Sequence, residues 1–559
     1  MVFDLWLWSS SCVLHGARSG RGAGIAESGV MQHDAPTRPQ LLILFLASLT
    51  PRVIGALWLP NAFGDAYAYT EQIYYLRRSL LDGSFSVSHL FGFWLPLYQL
   101  ICATVSAIAG SPFYVPKLVS AFCGGALCVV VCLITWELTS SRWLSLTTAA
   151  VAAINPYHVF FSSSAMTDVP HAFLILLCVY CCIKERWIFA TILALAACLM
   201  RIESWILIPI IPLAQAFNQS THATTGRRVA VLIKPILLGL LLVSGAVFWL
   251  YVSWKATGSF TRYFEIRNNY IVETLANNPW LAHFSPGRVA FDFVRLVYVC
   301  NVLVVYAAVA LFLTIVSRNF LDLHERTSLP ARLIKTVSDL LASAHGLVLV
   351  FFTSHLAFLL LAYFTRNQPE IWPRYGLVFF TLGLPLVASR YLNSLVHRLR
   401  PSFKGRQFSA SLLVVLFFIQ FSIQLVDVTR MIVTTDPNLI TAQYLEDQRR
   451  ADQATRVYCE DGAIRVLSGI PLEEFRDQYN SPADDDAFLQ SLKDNGVGFL
   501  VYKDLAGSRL KGIIERLRSR RGNRGLTLEE VRPTPRKKLE ANIIVYRIHN
   551  SELARVVKR

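Results

Sequence analysis

Runs of about 18 or more apolar residues recur along this 559-residue chain, each long enough to cross a hydrocarbon core about 30 Å thick as a helix. Lipid offers no partner to a backbone N–H or C=O, so such runs are driven into helices that bond internally. Charged residues make up only 16% of the chain, against roughly 25% in a soluble domain. The mean hydropathy is +0.44. These features predict an all-α polytopic membrane domain with about eleven spans, followed by a small soluble α/β domain. The net charge of +16 does not point to nucleic acid, because the basic residues cluster in short loops as the positive-inside bias requires. Most of the eleven cysteines lie in apolar runs, where they act as small hydrophobes. Cys178 and Cys181 have CxxC spacing but no second pair inside an apolar run, so the spacing reads as chance and not as a metal or redox site.

Residues 1–39 are rich in Gly, Ser and Arg and are expected to be disordered. The membrane domain is expected over 40–430, with an external first loop at 61–111. The first span, 40–60, is interrupted by Pro51-Arg52, and arginines before it favour a cytoplasmic start. Residues 66–81 have apolar positions at helical spacing and read as a helix on the membrane surface. The run 91–109 opens with FGFWLPLY and ends at Gly110-Ser111-Pro112, and reads as an interfacial or re-entrant helix. Further spans are expected at 115–136, 143–162, 169–183, 187–200, 203–217, 235–253, 293–317, 344–364, 375–390 and 409–429. With this count the richest basic loops, around 227–234, 318–343 and 390–406, all fall inside. The sequon Asn218-Gln219-Ser220 then also lies inside. The segment 435–559 is expected outside. Its strand-like runs Ala463–Leu467, Val497–Tyr502 and Asn542–Tyr546 alternate with helical stretches Ala487–Asp494 and Ser508–Arg518, a rhythm of α/β folds. The basic stretch Arg516–Arg524 reads as a solvated face.

Two acids stand at the outer ends of apolar runs: Asp65 in NAFGDAYAYTE and Asp168 in SAMTDVP. Carboxylates at a membrane boundary are costly and tend to have a function. A converging pair suits a general base for an acceptor hydroxyl or amine, or a divalent ion such as Mg or Mn against a phosphate. Each also reads as the cap of the helix that follows, since Pro170 sits where a first helical turn favours proline. Arg201 with Glu203, and Arg374 with Tyr375, lie at the same expected face. The two arginines suit a phosphate clamp, and equally a boundary ion pair and an interface anchor. Supporting candidates are Glu71, His89, Trp94 and Tyr98. No GxSxG, P-loop, HExxH or dinucleotide motif stands in a suitable context.

The ordered set GDAYAY, WLPLYQL, PKLVSAFCGG, NPYHVFFSSSAMTDVPHAFLILL, LMRIESWILIP and WPRYGLVFFTLGLPLV resembles the GT-C superfamily of integral-membrane glycosyltransferases. It is most similar to bacterial relatives of protein O-mannosyltransferases and of lipid A aminoarabinose transferase. The resemblance covers roughly residues 40–430. It implies a sugar donor on a polyprenyl phosphate or diphosphate and transfer with inversion outside a bacterial inner or plasma membrane. The acceptor is a protein, lipid or glycan. The resemblance also implies that Asp65 is the catalytic base and Asp168 a second active-site carboxylate. Where relatives often carry a second acid beside the first, this chain has Ala66, and Glu71 and Glu203 are candidate substitutes.

Two other classes make different demands on the sequence. A transporter needs polar groups at mid-membrane and internal repeats. A non-enzymatic envelope assembly factor needs no convergence of Asp65 and Asp168.

Overall fold

The computed structural model describes residues 35–550, except 63, 221–227, 278, 321–328, 369, 393–402, 434–435, 452–455, 478–480, 483, 504–508, 519–525 and 532–542. The N-terminal stretch 1–34, and part of the basic stretch Arg516–Arg524, lie outside the described residues. The described helices begin with α1 (Arg38–Trp58), α2 (Gly64–Leu81), α3 (Leu97–Ala109), α4 (Val115–Thr139), α5 (Arg142–Ile154), α6 (Pro156–Ser162) and α7 (Asp168–Ile183). They continue with α8 (Trp187–Cys198), α9 (Leu207–Ser220), α10 (Arg228–Thr257), α11 (Arg262–Asn277), α12 (Pro286–Cys300) and α13 (Val302–Phe320). After these come α14 (Leu329–Ala342), α15 (Ala344–Phe364), α16 (Gly376–Val387) and α17 (Phe403–Val433).

Five described segments are long and apolar enough to cross a membrane: Arg38–Trp58, Val115–Thr139, Ile233–Thr257, Ala344–Phe364 and Phe417–Arg450. The pair Pro286–Cys300 and Leu303–Ser317, bent by 92°, makes a sixth if it is one span. Shorter apolar helices fill the bundle. At its centre α4 packs against α1, α5, α7 and α16. Every residue of α16 is buried, as expected for a helix that is apolar on all sides. The run 91–109 contributes the 13-residue α3, about 20 Å long, packed against α2.

The structure corrects several expectations. The first span is not interrupted: α1 runs through Pro51. Arg52 is fully buried there and donates to the carbonyls of Ser48, Ala153 and Ala152 and to Nδ1 of His158. The α5–α6 break explains this, because Pro156 has no N–H to offer the Ala152 carbonyl, and the guanidinium stands in for it. Close approach of α1, α4 and α6 depends on glycine. A Cβ on Gly55 would lie 2.4 Å from Ser163 Oγ, and one on Gly124 would lie 2.6 Å from Ser162 Cβ and 2.9 Å from Arg52 Nε. The expected span 293–317 is instead the bent pair α12–α13, which turns at Asn301 with φ 73°. The loops expected at 254–292 and 318–343 contain α11 and α14.

From residue 436 the chain builds a five-stranded sheet, flanked by α18 (Asp436–Ala451), α19 (Gly462–Leu467), α20 (Asp485–Asp494) and α21 (Arg509–Arg518). The strands are β1 (Arg456–Cys459), β2 (Phe475–Arg476), β3 (Val497–Lys503), β4 (Leu526–Val531) and β5 (Ile543–Asn550), in spatial order β2-β1-β3-β5-β4. β2, β1 and β3 run parallel, while β5 is antiparallel to β3 and β4. Alternation sends Tyr458, Leu500, Tyr502 and Tyr546 under α20 and α21. It sends Val457, Cys459, Phe499, Val501 and Val545 toward α18, α19 and Tyr74 of α2. The run Ala463–Leu467, expected as a strand, is the helix α19. Asp461 caps it by accepting from the Ala463 and Ile464 amides.

Candidate functional site

The two acidic stretches are laced together by their own small polar residues. The Ala62 amide donates to Ser164 Oγ at 3.0 Å, and the Ala165 amide donates to Asn61 Oδ1 at 2.9 Å. Tyr69 Oη and Thr167 Oγ1 lie 3.1 Å apart. Tyr98 donates to the Pro116 carbonyl and meets Ser120, whose hydroxyl donates to the Met166 carbonyl. Asp65 and Asp168 thereby open α2 and α7 at neighbouring points, each in a first helical turn that favours negative charge.

Each carboxylate carries an arginine. Arg374 donates to Asp65 Oδ2 at 2.6 Å, and Arg201 to Asp168 Oδ1 at 2.8 Å. Arg201 also grips Glu203 with two nitrogens, at 2.7 and 3.3 Å. Both guanidiniums lie against one ring: Arg201 Cζ is 5.5 Å and Arg374 Cζ 5.4 Å from the Tyr375 centroid. Burial by itself raises the Glu203 carboxyl, but the Arg201 charge and hydrogen bonds outweigh it and hold the group well below the usual carboxylate range. Glu203 therefore stays ionised, and its contribution to stability is lost only as pH falls far into acid.

The two aspartates differ in access. The Asp65 side chain is 35% exposed and that of Asp168 only 4%. Asp168 Oδ2 is buried without a hydrogen-bond partner in the described structure. The donor set does not fit a metal ion. Both aspartates are engaged by arginine, and no group of three or more His, Cys, Asp or Glu side chains among the described residues is arranged to hold one.

The remaining expected residues separate. Trp94 packs on Tyr69 with centroids 4.3 Å apart and the rings tilted by 33°, and Tyr98 sits edge-on to the same ring. His89 accepts from the Ser86 amide within its own turn. Glu71 lies on the far face of α2, where Arg465 holds it. Glu203, not Glu71, is the additional acid of the cluster.

Tyr69, Thr167, Arg267 and Tyr270 also surround the cluster and are not among the residues expected there. Arg267 of α11 lies within the electrostatic reach of Tyr263, Glu203 and Tyr375. Tyr270 feels Asp65 and Arg374, and its ring packs on Phe93 at 5.1 Å. For Arg267 and Tyr270 the sequence signal is RYFEIRNNY, a polar stripe with aromatic residues between the spans expected at 235–253 and 293–317.

No family model matches the chain, and no curated protein matches it. Among solved structures it is similar to ArnT from Cupriavidus metallidurans, described as bound to undecaprenyl phosphate, at 12% identity and a TM-score of 0.49. The match covers 91% of this chain and 98% of that one. At this level the likeness assigns neither substrate nor residue roles.

Proposed function

We propose that the chain is a glycosyltransferase of the GT-C type. It moves a sugar from a polyprenyl-phosphate donor to an acceptor on the extracytoplasmic side of a membrane. The observation that carries this reading is the pair of aspartate–arginine contacts around Tyr375, which puts two acids and two cations at one cluster. The ordered motif resemblance supplies the chemistry expected there.

Asp65 is the base. It is the more accessible acid and is held at the start of a helix. Arg374 receives the donor phosphate, because an anion arriving there competes with Asp65 for the guanidinium. That exchange releases the carboxylate to take the acceptor proton as the acceptor attacks the sugar C1 with inversion. The departing polyprenyl phosphate is already a stable anion and needs little acid assistance. Arg201 is shared by two carboxylates and serves to fix Asp168, leaving the first contact with phosphate to Arg374. Asp168 Oδ2 accepts from a hydroxyl of the sugar or acceptor.

Contacts between α2 and the C-terminal domain support the sidedness. Glu71 pairs with Arg465, and Tyr74 donates to Glu473. The end of the first span and the end of the last therefore face the same side, and the chain crosses an even number of times between them. Ten crossings after the first satisfy this, giving about eleven in all with 91–109 kept at the surface. The division into 40–430 and 435–559 belongs to the same reading.

The test is transfer of label from a panel of polyprenyl-phosphate sugars by the protein in reconstituted membranes. Transfer from at least one donor is expected, and none from any donor rejects the assignment. A transporter would instead move solute without label transfer.

A further inference from the structure

We propose that the C-terminal domain is a clamp that sets the position of the catalytic helix, with Arg465 as its positioning residue. This rests on the reading of Asp65 as the base. Helix α2 has two working faces. Asp65 and Tyr69, one turn apart, face the cluster around Tyr375. Glu71, Tyr74, Tyr75 and Arg78, at i, i+3, i+4 and i+7, form a stripe on the other side, and all four engage the C-terminal domain. Arg465 grips Glu71 through two nitrogens, at 2.5 and 2.8 Å, and also donates to Asp477 at 2.9 Å and to the Cys459 carbonyl at 2.8 Å. Tyr74 donates to Glu473, which Arg78 also pairs, and the Tyr74 ring packs into the apolar layer beneath the sheet. Tyr75 donates to the Leu472 carbonyl at 3.4 Å.

Arg465 is largely buried, and its fork fits the Glu71 carboxylate in both distance and direction. Burial lowers the Arg465 guanidinium, but its bonds to Glu71 outweigh this and raise it, so the charge persists at every working pH. Burial and Glu473 push Tyr74 up to about 12, so its hydroxyl stays a donor in the same range. A pair of this kind fixes rotation and height of the helix, and displacing a catalytic group by about 1 Å costs on the order of 100-fold in rate. The acid of the first loop is thus held from behind by the last domain of the chain.

The experiment compares full-length Glu71→Gln, Arg465→Gln and the double variant in reconstituted membranes, with a donor active in the panel above. The expected result is a kcat lowered about tenfold or more by each single change and no further by the double, with donor KM within about twofold. Hydrogen exchange over residues 64–81 should quicken in all three. Unchanged kcat and unchanged exchange in Glu71→Gln overturn the clamp, as do losses that multiply in the double variant. Asp65→Asn, run in parallel, separates the two ideas. Retained transfer there defeats the base assignment, while the exchange data still decide the clamp.

Discussion

At the residue scale, the acids around Tyr375 look interchangeable in the sequence and are not so in the structure. Asp168 is buried and bonded to an arginine that also serves Glu203, whereas Asp65 is accessible and shares Arg374. Asp168→Asn is therefore expected to destabilise the protein by about 3 kcal/mol, since it breaks a buried pair from one side. Thermal unfolding in detergent checks this, and an unchanged midpoint contradicts the buried pair. Arg374→Gln should raise donor KM about 10- to 100-fold, because a charge-assisted contact to phosphate is worth about 1.5–3 kcal/mol. The acids and arginines were legible because charges stand out at the ends of apolar runs. Glu71 and Glu203 were not separable, since both are acids near a boundary and only the packing of α2 shows which way each points. Tyr69 and Thr167 gave no signal, as aromatic and hydroxyl residues are ordinary at such positions.

At the scale of elements, helix type followed from apolar period and length, but breaks and crossings did not. Pro51 reads as an interruption, yet α1 continues through it, and Arg52 turns inward to the α5–α6 break. The bend at Asn301 had no proline or glycine to announce it; it shows only in the backbone. Ala463–Leu467 has the apolar content of a strand, and the Asp461 cap decides for helix. The crossing of α1, α4 and α6 yields a direct prediction. Gly124→Ala should cost about 1–3 kcal/mol, because its Cβ meets Ser162 and Arg52 with little room to yield. Alanine at Gly64, where a Cβ meets nothing within 4 Å, is the control. Equal thermal midpoints for the two variants would contradict the crossing.

For the whole molecule, the parity of the spans and the place of the C-terminal domain are one question. The contacts of α2 with Arg465 and Glu473 tie the first loop to the last domain of the chain. The proposed topology keeps 91–109 at the surface, in line with the charge of the short loops. The end-to-end contact itself was invisible, because nothing in Glu71 or Arg465 marks them as partners across 394 positions. The central claim is that Asp65 removes the acceptor proton in transfer from a polyprenyl-phosphate sugar. The direct measurement is label transfer by purified, reconstituted Asp65→Asn against the unchanged chain, at matched amounts of folded protein. A rate about 10²–10⁴-fold lower, with thermal stability and donor-lipid binding retained, is the predicted result. Transfer at the rate of the unchanged chain would contradict it.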